Sequence, residues 1–184
     1  MDKLRKSLLL YFGLSFIIVV CDQISKILIE KNLSENQSVS VVGDLLNFHF
    51  IYNQGGAMGT SIGPSWIYAI LTLFALILII RYLTTAKSEP AITKISLALI
   101  LGGAVGNLID RLRFGKVIDF IDVNIPDINF LHLYRWFTFN IADAAITVGL
   151  ILFAISILFH TKPQEDGNAQ MAESQIPKIE SDST

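Results

Sequence analysis

Four runs of apolar residues, each long enough to cross a bilayer, limit what this 184-residue chain can become. A hydrocarbon core about 30 Å thick takes roughly 20 helical residues. No backbone amide can be left unpaired inside it, so each run must be a helix or a strand of a closed barrel. The first run extends from Leu8 to Ile29, the second from about Trp66 to Tyr82, the third from about Ile92 to Ile109 and the fourth from about Phe139 to Phe159. These unbroken stretches of Leu, Ile, Val, Phe and Ala lack the alternation of barrel strands. The predicted fold is an all-α membrane protein with four transmembrane helices. Only 16% of residues are charged, against about a quarter in average proteins, and many of those lie in the joints between runs.

Lys3, Arg5 and Lys6 before Leu8–Val20 also fit the start of a cleavable signal peptide, with Cys21 placed as in a lipoprotein signal. Val20 is too large for a cleavage site and the apolar run resumes at Ile24, so the segment reads as a retained helix. Lys3, Arg5, Lys6, Arg81, Lys87, Lys94, Lys162 and Lys178 fall on one side of the membrane. Lys26, Lys31, Arg111, Arg113, Lys116 and Arg135 fall on the other. The dense N-terminal cluster orients the first helix, so both termini are expected in the cytoplasm. Residues 1–162 form the expected membrane domain, and the polar stretch 163–184 a disordered cytoplasmic tail. A net charge of −2 and the absence of a basic tract exclude a nucleic-acid binder. Cys21 is the one cysteine and reads as a small apolar filler; neither it nor His49, His132 and His160 supplies a metal-binding pattern.

Up-and-down threading brings Asp22 and Lys26, late in span one, to the same face as Asn107, Asp110 and Arg111, late in span three, and Asn140 and Asp143, early in span four. Charge inside a membrane is costly, so a polar cluster at one depth must supply its own partners. The long joints lie on that face as well. Val39–Val42 and Phe48–Tyr52 are strand formers, predicting a small extracytoplasmic β-sheet between spans one and two that ends at the glycine-rich turn from Asn53 to Gly59.

Asn107, Asp110 and Arg111 share a helix face with Gly103, while Gly102 and Gly106 form a GxxxG pattern for close helix approach. Structural ion pairing and contact with a substrate carbonyl are both open to Asp110 and Arg111. Asp22 and Lys26, at i and i+4, are expected to pair with each other or with the outer sheet. Asp119, set between Ile118 and Phe120, has little reason to be there for solvation alone. Asp143 is expected one turn inside the membrane, with Asn140 on its face. Two converging aspartates can share a proton and activate water, as in aspartic proteases, yet carboxylates in apolar segments serve proton transport equally well.

Asp22-Gln23 with Lys26, Asn53 with Gly55 and Ala57, Gly102-Gly103-Ala104 with Gly106-Asn107 and Asp110-Arg111, Val117 with Asp119-Phe120, and Phe139-Asn140 with Ala142-Asp143 together resemble lipoprotein signal peptidase, the type II signal peptidase family of bacteria. The pieces follow the family's order from residue 22 to 143. The resemblance implies a multi-pass inner-membrane aspartic endopeptidase that removes signal peptides from prolipoproteins immediately before a diacylglyceryl-modified cysteine. It implies that Asp119 and Asp143 are catalytic, that Asn107, Arg111 and Asn140 line the site, and that Asp22 and Asn53 support it or contact substrate. Sensitivity to the cyclic peptide globomycin is also implied. The expected protein is a monomer in contact with membrane lipid, and it uses no cofactor. Gly56 and Met58 replace the family's usual Ala and Phe, Asp122–Trp136 is longer than in typical members, and the tail is an addition. A small proton-coupled transporter or channel is the alternative, and a purely structural scaffold ranks third.

Overall fold

The computed structural model describes residues 2–55, 63–85, 89–124 and 137–160. The expectations for Gly56, Ala57 and Met58, for most of the Asp122–Trp136 segment, for His132 and for the tail 163–184 lie outside the described residues. The element order is α1 (Asp2–Asn32), β1 (Ser38–Val42), β2 (Leu46–Asn53), α2 (Ser65–Thr85), α3 (Ala91–Phe114), β3 (Val117–Val123) and α4 (Ile141–His160). Among the described residues, four helical stretches are long and apolar enough to cross a membrane: Ser7–Asn32, Ser65–Thr85, Ala91–Phe114 and Ile141–Phe159.

Helix α3 is the hub. Leu97, Leu101 and Ala104 on it are buried against Leu76 and Leu83 of α2, with Phe12 of α1 and Phe153 of α4 closing the cluster. Small residues let α1 and α4 come close to it. A methyl group on Gly102 would lie 2.7 Å from the Ser15 carbonyl of α1, and one on Gly106 would lie 2.6 Å from Asp22 Oδ2. On another side of α3, a methyl on Gly103 would meet the Ala142 carbonyl of α4. The GxxxG pair therefore seats α1, and the intervening Gly103 seats α4.

At the end of the bundle where α1 and α3 finish, the chain builds a three-stranded antiparallel sheet in the order β1-β2-β3. Its first two strands are those expected from the sequence. The third comes from the joint between α3 and α4, where no strand was anticipated: Val117, Ile118, Asp119 and Phe120 are all buried, so both faces are covered and the usual alternation is lost. Ile29, Phe50, Ile118 and Phe120 form a second core that fixes the sheet to α1. The turn from α3 into β3 is made by Gly115, at φ +68°, a left-handed conformation suited to glycine, whose N–H caps the Arg111 carbonyl at 3.0 Å.

Two boundary expectations and one packing expectation change. Span three continues past Ile109 to Phe114, which keeps Asp110 and Arg111 helical. Span four begins at Ile141, two residues later than expected, because Phe139 pairs with Ile121 of the sheet instead. Cys21 lies exposed on the outside of α1 and fills no core gap.

Candidate active site

Behind the site lies a closed network of charges. Lys26 Nζ is 2.8 Å from Asp22 Oδ2, 2.8 Å from Asp110 Oδ2 and 3.1 Å from Asn107 Oδ1, so each of its three protons has an acceptor. Asp22 Oδ1 accepts the Ala142 N–H at 3.0 Å, and Asp110 Oδ2 accepts the Ile118 N–H at 3.1 Å. Gln23 donates to Asp110 Oδ1 at 3.0 Å. Three helices and β3 are thus bound through groups that are almost fully buried, which is tolerable only because every charge is paired and hydrogen-bonded. The expected Asp22–Lys26 pair forms. Asp110 takes Lys26 as its partner, which is the structural ion pairing that the sequence left open for it.

In front of this network stand the two aspartates, held by three asparagines. Asp119 Oδ1 accepts from Asn140 Nδ2 at 2.8 Å and its Oδ2 accepts from Asn53 Nδ2 at 3.0 Å. Asp143 Oδ1 accepts from Asn107 Nδ2 at 2.8 Å and its Oδ2 accepts the Asn140 N–H at 3.2 Å. Asn140 therefore bridges the pair, one carboxylate on its side chain and the other on its backbone. The Asn140 Oδ1 also accepts the Asp143 N–H at 2.8 Å, a reciprocal cap that begins α4. Asp143 consequently sits in the first turn of its helix, nearer the end of the span than expected. Burial, and then the charge of Asp143, push the Asp119 carboxyl up to about 7.

The Arg111 guanidinium approaches the Gly55 carbonyl at 3.3 Å and lies 5.6 Å from the centre of the Tyr68 ring of α2. Its Nε is buried without a hydrogen-bond partner among the described residues. Gly55 is in turn tied to Asn53, which accepts the Gly55 N–H at 2.9 Å while holding Asp119.

Two clefts meet at this point. One, of about 610 Å³, includes Asn107, Arg111, Asp119 and Asp143 and continues along the apolar side of α4 past Ile146, Val148 and Ile151. The other, of about 670 Å³, is lined by Asn53, Gln54, Gly55, Ser65, Asp119 and Thr138 among others. Asp119 belongs to both. Among the described residues, no cluster of three or more His, Cys, Asp or Glu side chains is placed to hold a metal ion.

The family model described as signal peptidase (SPase) II matches residues 14–159, which contain all of this machinery. The chain belongs to the signal peptidase II family. It is 37% identical over 155 residues to a lipoprotein signal peptidase of Desulforapulum autotrophicum, covering 81% of this chain and 91% of that one. It is 35% identical over 145 residues to that of Moorella thermoacetica, covering 79% and 90%. With that of Bacillus velezensis it is 34% identical over 158 residues, covering 86% and 99%. A solved bacterial membrane enzyme superposes with a TM-score of 0.74 at 29% identity, over 85% of this chain and 92% of its own. Another gives 0.70 at 31%, over 82% and 94%.

In this signal peptidase II chain, the ten residues singled out from the sequence divide into two layers. Asp119, Asp143, Asn53, Gly55, Asn107 and Arg111 line the clefts, with Asn140 joining the aspartates from behind. Asp22, Lys26 and Asp110 sit deeper, and none of them lines either cleft. Sequence reading gave no role to Gln23, which links Asp22 and Asp110, or to Tyr68 beneath Arg111. Gln23 carried one signal, an amide beside a charge in an apolar run; Tyr68 carried none.

Proposed function

We propose that the chain is an aspartic endopeptidase of the bacterial inner membrane that removes the signal peptide from prolipoproteins immediately before a diacylglyceryl-modified cysteine. The observation that carries this reading is a pair of hydrogen-bonded aspartates, joined by Asn140, where an apolar cleft along a membrane-spanning helix meets a second cleft at the sheet. The names of the relatives supply the substrate class.

Burial and the charge of Asp143 raise the Asp119 carboxyl to about 7, so the pair carries a proton near neutral pH. The ionised member of the pair takes a proton from a water as its oxygen attacks the scissile carbonyl. The protonated member donates to the carbonyl oxygen as negative charge develops there. Collapse of the tetrahedral intermediate breaks the C–N bond, with a proton passing from the pair to the departing nitrogen. All four carboxylate oxygens already accept a hydrogen bond from an asparagine, so the pair reacts without first reorganising. Arg111, with Nε unpaired among the described residues, offers its guanidinium as a donor to a substrate carbonyl.

With the basic N-terminus in the cytoplasm, the sheet and both aspartates face outward, the side on which an exported chain emerges. Proton transport is poorly supported: between Ser96 and Asn107 the buried face of α3 carries only Leu97, Ala98, Leu101, Gly102, Gly103, Ala104 and Gly106. The test is cleavage by the purified protein in lipid bilayers. A diacylglyceryl-modified prolipoprotein should be cut before its cysteine and the unmodified precursor should not. Cleavage of neither would refute the assignment.

A further inference from the structure

The two clefts point to the two sides of the scissile bond. A signal peptide is an apolar segment in the membrane, so residues before the bond belong with Ile146, Val148 and Ile151 along α4. The chain beyond the bond must leave toward water, and the 670 Å³ cleft is built from the sheet and the joint that enters α2, on the same side as Asp119. Tyr52, Gln54, Gly55, Pro64, Ser65 and Thr138 are among its walls.

Two of these side chains make no hydrogen bond among the described residues. Ser65 Oγ is buried at the wall of the cleft without such a partner, which costs free energy in the free protein. Gln54 is exposed, and its side-chain amide makes no hydrogen bond among the described residues. Its neighbours are both committed, Asn53 to Asp119 and Gly55 to Arg111. Gln54 therefore lines the cleft with a side-chain amide that is not committed to another described residue.

We propose that this second cleft receives the first residues of the mature chain, those following the lipid-modified cysteine, and that Gln54 reads their polarity and charge. The proposal rests on the endopeptidase reading and adds a specificity determinant on the product side of the bond.

The test uses two lipid-modified prolipoproteins that differ only in the residue after the modified cysteine, Asp in one and Lys in the other. The quantity measured is the ratio of kcat/KM for the Lys substrate to that for the Asp substrate, which is independent of the fraction of enzyme folded. Relative to the wild type, Gln54→Glu should raise this ratio about tenfold and Gln54→Lys should lower it by a similar factor, as expected for one unit charge within a few ångströms of another at a hydrated surface. A ratio unmoved in both variants, with cleavage retained, would overturn the proposal and leave the peptidase reading intact. Failure of the wild-type protein to cut either substrate would overturn both.

Discussion

At the scale of single residues, the site depends on which atoms hold the two carboxylates. Asn53 donates to Asp119 Oδ2 at 3.0 Å and so favours its ionised form. Asp119 is raised above the ordinary carboxylate range, so it keeps its proton up to about pH 7. Activity that needs the shared proton should be present below that value and fall as pH rises through it. Asn53→Ala removes a donor to a charged group, a loss of about 1.5 kcal/mol, which should move this alkaline limb up by about one pH unit in a pH–rate profile. An unmoved limb would mean that Asn53 does not act on the titrating group. Lys26 makes a different prediction. Lys26→Met leaves Asp22 and Asp110 buried without their cation and should cost about 3–5 kcal/mol. Adding Asp22→Asn and Asp110→Asn should restore much of the thermal stability; a triple variant no more stable than the single would contradict the charge-pairing account. Arg111→Lys keeps the charge and loses the planar fork that reaches Gly55, so cleavage should drop at least about tenfold. Wild-type rates in that variant would show that charge alone suffices.

Between elements, the distance from α3 to α4 decides whether the aspartates meet. Gly103 lets the Ala142 backbone approach, and Asp143 lies one residue further along the same helix. Gly103→Ala should destabilise the bundle by about 1–3 kcal/mol and reduce cleavage more than the folded fraction explains. Gly13→Ala, where a methyl group meets nothing within 4 Å, is the control and should be neutral in thermal melts and cleavage assays. This level of organisation was unevenly legible. The four spans could be read because lipid demands long apolar runs, and the β1–β2 pair because Phe48, Phe50 and Tyr52 alternate. β3 could not, because Ile118 and Phe120 are buried and so are Val117 and Asp119 on the opposite face. Phe139 was assigned to span four on its hydrophobicity, while its backbone completes the sheet. The site residues were visible as polar groups at one predicted depth. Their hydrogen-bond order was not, because Asn140 links groups supplied by α3, β3 and α4, and only packing brings these to 2.8–3.2 Å from it. Gln23 was visible beside Asp22 but received no role for the same reason: its partners on α3 are 83 and 87 residues away in sequence.

At the scale of the whole molecule, the described residues set a buried polar cluster at the edge of an apolar bundle. Its orientation can be checked in a Cys21→Ser background. A cysteine at Asn36 should react with an impermeant thiol reagent from outside intact cells, and one at Thr85, at the opposite end of α2 from the sheet, should not. The reverse pattern would place the clefts on the cytoplasmic side, away from exported substrates. The central claim is that Asp119 and Asp143 act together as the catalytic unit. The most direct measurement is the rate at which purified wild-type, Asp119→Asn, Asp143→Asn and doubly substituted proteins, each shown to be inserted in bilayers, cut a diacylglyceryl-modified prolipoprotein. Asparagine keeps the shape of the side chain and removes the base, so each single substitution should lower the rate by orders of magnitude, with the double variant scarcely slower than either. Near-normal turnover by a well-inserted single variant would contradict the aspartic mechanism.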